Sequence, residues 1–116
     1  MATLTLDQIL AANDMGLLGP IAVPEWGGDV FIRVMTVGER DSYERQWIGK
    51  RETGIENFRA QYLSRCLCNE KGELLFTRDK VDLLASKSGA VVSRLFDQAL
   101  KHNNMTAEDV EELGKG

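Results

Sequence analysis

The sequence predicts an α+β chain, mostly α, with one N-terminal β-hairpin packed with about five to six helices. Three observations carry this. Extended, β-branched runs are confined to the stretch before Thr36, whereas the segments after it repeat their apolar residues at the helical period. A length of 116 residues suits one hydrophobic core, so residues 1–116 are expected to form a single domain. No repeat, low-complexity stretch or linker interrupts the chain.

The first element is a short helix from Leu6 to about Ala12. Thr5 and Gln8 have capping-box spacing, Leu4 and Ile9 occupy the staple positions, and Asp7 suits the positive end of the helix dipole. Leu6, Ile9 and Leu10 share one side. After a Gly-rich connection, Ile21 to Glu25 and Val30 to Met35 flank Trp26-Gly27-Gly28-Asp29, which predicts a hairpin over about 20–36. Pro20 and Pro24 confine its first strand to a sheet edge, because proline has no N–H to donate to a ladder.

Thr36 and Glu39 repeat the capping-box spacing and open a second helix. Val37, Tyr43 and Trp47 mark its apolar side, Arg40–Glu44 and Asp41–Arg45 are i,i+4 charge pairs, and Gly49 ends it before a polar loop, Lys50 to Gly54. Ile55, Phe58, Tyr62, Leu63, Cys66 and Leu67 predict a third helix. Asn69 to Gly72 is a turn and Glu73 to Phe76 a short extended piece. Thr77 opens a helix through Val81 and Leu84, and Ser86 or Ser88 opens another. In the latter, Val91, Val92, Leu95, Phe96, Ala99 and Leu100 form a broad stripe ended by Asn103-Asn104. Thr106 and Asp109 start a final helix carrying Val110 and Leu113.

Composition narrows the function classes. The net charge is −4 with acidic residues spread along the chain, whereas a duplex-binding face concentrates Lys and Arg. Arg45, Lys50 and Arg51 read as a solvated helix end, so no nucleic-acid partner is expected. No apolar run approaches the roughly 20 residues of a membrane span, and the N-terminus lacks the pattern of a signal peptide. A cytoplasmic location without a membrane partner is the expectation, and the two cysteines suggest no disulfide framework.

The search for catalytic chemistry is negative. Gly49-Lys50 lacks the remainder of a phosphate-binding loop, and no serine sits in a nucleophile elbow. Cys66 and Cys68, on a continuing helix, would point about 200° apart, which excludes a shared metal and leaves Cys66 in the core and Cys68 partly exposed. His102, the only histidine, lies near a helix C-terminus and suits a capping or surface role. The expectation is a protein without catalytic residues, cofactor or metal, acting through protein contacts. Trp26, beside two glycines at the hairpin tip, either folds back as a lid on the core or anchors a partner. Trp26, Gly27, Gly28 and Phe31 are therefore the candidate protein-binding residues, at a strand edge that invites added strands.

The order of several short motifs resembles the tail assembly chaperones of long-tailed bacteriophages and prophages. These are the opening from Leu4 to Ala12, Val23-Pro24-Glu25-Trp26-Gly27-Gly28, the Val30 to Met35 run, and Gly38-Glu39-Arg40-Asp41. Further on come Glu56 to Ala60, the turn from Asn69 to Leu75-Phe76, and Asp109-Val110-Glu111-Glu112-Leu113. The resemblance implies a non-catalytic protein that binds the tape measure protein in the host cytoplasm and keeps its hydrophobic helical segments soluble. It further implies recruitment of major tail tube protein subunits, self-association, and absence from the mature virion. Many such chaperones are made in two lengths by a programmed backward slip of one base. Leu113-Gly114-Lys115 is compatible with a slippery heptamer if Leu113 is encoded by CTG or TTG. The alternative is a small structural phage protein such as a head–tail connector, or a small regulatory protein-binding module.

Overall fold

A computed structural model describes residues 2–47 and 57–104 of the chain. Helix α1 spans Leu6–Ala11, and the expected capping box is present. The Thr5 hydroxyl accepts from the Gln8 amide at 3.2 Å, and the Gln8 side chain accepts from the Thr5 amide at 2.9 Å. Not one residue of α1 is buried.

Strands β1 (Leu17–Val23) and β2 (Gly28–Arg33) form the predicted antiparallel hairpin. β1 starts before the expected boundary and contains Pro20, which falls where the register shifts between Leu18 and Ile21. β1 is an edge strand, as the prolines require. Pro24 opens a 3-10 turn, Pro24–Trp26, whose end is closed by Gly27 at φ 78°, a left-handed conformation that glycine adopts without a Cβ clash.

The sheet has a third strand that the sequence reading missed. Helix α2 runs over Val37–Trp47 and α3 over Phe58–Ser64, but α3 ends before the predicted Leu67. The Arg65 and Cys66 amides donate to Tyr62 and Leu63, tightening the last turn. The chain then leaves as strand β3, Leu67–Cys68, paired antiparallel with β2 in the order β1-β2-β3. Apolar periodicity continued to Leu67 because the far edge of β2 also needs an apolar, hydrogen-bonding partner, and the two demands look alike over three residues.

This corrects the reading of the cysteines. Neither lies on a helix, and both are buried, Cys68 included. Burial pushes the Cys66 thiol up to about 12 and raises that of Cys68. The predicted extended piece at Glu73–Phe76 is a single bridge, Leu74 opposite Cys68, after a turn in which Asn69 Oδ1 accepts from the Lys71 and Glu73 amides.

A 3-10 turn at Arg78–Lys80 leads into α4 (Val81–Ala85), and α5 covers Gly89–His102. α5 buries Val91, Val92, Leu95, Phe96, Ala99 and Leu100, the whole predicted stripe. It packs against the inner sheet face formed by Val23, Val30 and Ile32, together with Tyr43, Tyr62, Leu63 and Leu84. Edge-on rings link these layers, Tyr43–Tyr62 at 5.2 Å, Tyr62–Phe96 at 5.4 Å and Phe58–Phe96 at 6.0 Å. Val37 departs from expectation: it is 79% exposed, because the first turn of α2 projects past the core that Tyr43 enters. Of the two predicted α2 charge pairs, Arg40–Glu44 forms at 3.3 Å, whereas Asp41 and Arg45 do not come within ion-pair distance. The Trp47 side chain, Gly49, the Lys50–Gly54 loop, Ile55 and the final helix from Thr106 lie outside the described residues.

Candidate interaction surface

The hairpin divides its side chains by strand alternation. Val30 and Ile32 of β2 enter the core, and Phe31, between them, stands half-buried on the outer face. Phe31 lies opposite Cys68, which bridges to Leu74, so the outer face continues from Phe31 to the half-exposed Leu74. Across the hairpin Phe31 covers Gly19, where an added Cβ would lie 2.6 Å from the ring. Only glycine allows that contact. Leu17, 42% exposed and paired with Arg33, extends the same face toward the N-terminus.

The four candidate residues are thus not brought together. Trp26 is half-buried and packs against the core, on the side opposite Phe31. The tip carrying it is latched to α5, since both Glu25 carboxylate oxygens accept from the Arg94 guanidinium at 3.0 Å. That hydrogen bond holds the Glu25 carboxyl down at about 2. Gly27 and Gly28 are exposed, with nothing within 4 Å of an added Cβ. The tip thus exposes backbone at Gly27 and Gly28, beside a half-buried Trp26.

Larger apolar exposure lies where sequence reasoning placed a packed helix. Leu4, Leu6, Ile9 and Leu10 are 64, 71, 56 and 74% exposed. α1 is therefore a capped amphipathic helix whose apolar residues are more than half exposed. With Leu17 and Leu18 of the edge strand β1 it concentrates apolar exposure in the N-terminal third. The signal was present in the sequence as Leu6, Ile9 and Leu10 on one side of a short helix. Amphipathicity alone does not distinguish a face aimed inward from one awaiting a partner.

Two polar residues that hold this frame in place were not singled out as such. Asn103 caps α5 and ties it to the sheet: its Oδ1 accepts from the Met35 amide at 2.7 Å, and its Nδ2 donates to the Ala99 carbonyl at 2.9 Å. Glu39 caps α2 by accepting from the Thr36 amide, and it also pairs with Arg33 of β2 at 2.5 Å. Burial raises its pKa, but the Arg33 and Thr36 bonds outweigh that and hold the carboxyl below its usual range. His102 sits with Nε2 2.8 Å from the Gly16 carbonyl oxygen, so it tethers the approach to β1 as well as closing α5.

Among the described residues no three His, Cys, Asp or Glu side chains converge to hold a metal ion, and no helix is long and apolar enough to cross a membrane. The surface features are suited to protein contact. Curated protein sequences give no match. The solved structure of the bacteriophage HK97 tail assembly chaperone is similar in fold, with a TM-score of 0.60 and 24% identity over 87% of this chain and 95% of that one. The family model described as phage tail assembly chaperone matches residues 7–115, nearly the whole length. The chain belongs to the phage tail assembly chaperone family.

Proposed function

We propose that the chain binds the tape measure protein during tail assembly in the host cytoplasm, keeps its hydrophobic helical segments soluble, and helps to recruit tail tube subunits. It leaves before the virion is complete, it carries no catalytic residues, and copies of it associate with one another. The observation that carries this reading is the exposed apolar side of α1. A six-residue helix is marginal on its own in water, and its capping box fixes only its start. An apolar side more than half exposed at Leu6, Ile9 and Leu10, with the exposed Leu4 just before it, is the kind of surface that marks a protein-interaction site. Among the described residues no strand pairs with the outer edge of β1, an edge of the kind that takes an incoming strand or a second copy.

Co-expression with the tape measure protein tests the reading. The chain is expected to keep the tape measure protein in the supernatant and to co-purify with it, and Leu10→Asp is expected to abolish both without unfolding the chain. A tape measure protein equally insoluble with and without the chain would defeat the proposal. A chain retained in purified particles would favour the connector alternative instead. For the hairpin tip, Trp26→Ala is expected to weaken capture with the fold largely intact. A variant that simply unfolds would make Trp26 a lid on the core and nothing more.

A further inference from the structure

Acidic residues run the whole length of this chain, but the cations do not. Residues 1–32 contain Asp7, Asp14, Glu25 and Asp29 and no Lys or Arg, so the entire net charge of −4 lies there. From Arg33 onward, 14 Lys and Arg balance the remaining acidic residues one for one. The fold leaves much of this imbalance unanswered. Arg94 of α5 reaches Glu25, but Asp7, Asp14 and Asp29 are exposed, and among the described residues no cation lies within ion-pair distance of them. Two cations do approach the start of the sheet, where Arg33 and Lys71 line a recess with Asn13, Met15 and Leu17. Arg33 is held by Glu39, and Lys71 stands in a turn between Glu70 and Glu73, so neither turns the region positive.

The same third of the molecule holds the exposed apolar run, Leu6, Ile9 and Leu10 of α1 with Leu4 before them. Charge and apolar side chains are interleaved there. Asp7 lies three residues before Leu10, and residues three apart are neighbours on a helix surface, so its carboxylate borders the apolar stripe. Asp14 stands just past the far end of the stripe, two residues after the C-cap Ala12. Apolar burial is non-directional and accepts any greasy segment. The bordering charges add the selection, because they favour one sign of neighbour and repel the other.

Charge separates the occupants that such a face could take. Amphipathic helices that lie on lipid carry Lys and Arg on their polar side to meet anionic headgroups, and α1 has neither. A second copy meeting α1 face to face sets Asp7 and Asp14 against their own kind, so that contact is the weaker one. A helix with an apolar stripe between cations satisfies the leucines and the carboxylates together. We infer that the apolar side of α1 receives an amphipathic helix of a partner protein whose apolar stripe is bordered by Lys or Arg. That this helix belongs to the tape measure protein rests on the function proposed above; the charge preference rests on this chain's own residues.

The test needs no tail protein. Two blocked peptides share one leucine stripe at helical spacing, flanked by lysine in the first and by glutamate in the second. A third keeps the lysines and replaces the leucines by serine. Each is titrated into the 15N-labelled full chain while the amides of Leu6 to Leu10 are followed. The lysine–leucine peptide is expected to give saturable shifts there, and the serine peptide none. The glutamate–leucine peptide is expected to bind at least about fivefold more weakly, since attraction at Asp7 and Asp14 becomes repulsion, and the gap should narrow at high salt. Asp7→Asn with Asp14→Asn is expected to bring the two leucine peptides to similar affinity; neither residue takes part in the cap of α1, so the helix keeps its start. Asp41→Asn with Asp97→Asn removes the same charge from exposed sites on α2 and α5 and is expected to leave the preference unchanged. Equal affinity of the parent for both leucine peptides, an equal effect of the two double variants, saturable binding of the serine peptide, or tighter binding to phosphatidylglycerol vesicles would each overturn the proposal. So would Leu6 to Leu10 amides that move with the chain's own concentration and no longer answer to peptide, which would give the face to a second copy. Loss of tape measure capture with the titrations intact would count against the function proposed above and leave this binding chemistry standing.

Discussion

Helices α1 and α5 are built from similar instructions and end in opposite situations. Each follows a hydroxyl residue, Thr5 or Ser88, and each gathers its apolar residues on one side. α5 buries six residues against the sheet and the other helices, whereas α1 buries none. The difference lies in what surrounds them. α5 follows α3 and α4 and closes over the inner sheet face, and Asn103 pins its end to Met35. α1 precedes the sheet, and among the described residues its side-chain hydrogen bonds are those of its own cap. An apolar stripe specifies that a face will be covered. It does not specify by which chain.

The sharpest way to break this comparison is to truncate one apolar residue in each helix. Leu95→Ala opens a cavity at a fully buried position and is expected to cost about 2–5 kcal/mol, read as a lower denaturant midpoint. Leu10→Ala, at a position 74% exposed, is expected to stay within about 0.5 kcal/mol of the parent while lowering self-association measured by light scattering. A large loss of stability in Leu10→Ala would mean that α1 is part of the core after all. Asn103→Ala comes next. It strips the Met35 amide and the Ala99 carbonyl of a partner together, and a cost of about 1–3 kcal/mol in chemical denaturation is expected.

The smallest effect concerns the hairpin tip. The folded Glu25 carboxyl titrates at about 2, below its ordinary value of 4.5. The contribution of its pair with Arg94 is therefore complete above about pH 4.5 and is lost as the pH falls toward 2. Both side chains are solvent-exposed, so the expected change is local. The Trp26 indole signal should shift over that acidic window in the parent, and the shift should vanish in Arg94→Ala. A signal that moves equally in both would show that the tip is not held by this pair.

The sequence by itself determined the helix starts and the hairpin. Capping boxes at Thr5–Gln8 and Thr36–Glu39, the edge position required by Pro20, and the apolar stripe of α5 act within a few residues of chain, so local chemistry is sufficient to specify them. Tertiary structure alone decided the rest. Leu67 and Cys68 became a strand because β2 had an unpaired edge within reach, and a periodic pattern does not record which neighbour will supply hydrogen bonds. Trp26 and Phe31, five residues apart, were parted to opposite faces by the turn and the pleat between them. Arg65 looked like one more helical cation. Its burial beside Arg78 depends on packing between segments distant in sequence, and long-range packing is what short-range pattern cannot carry.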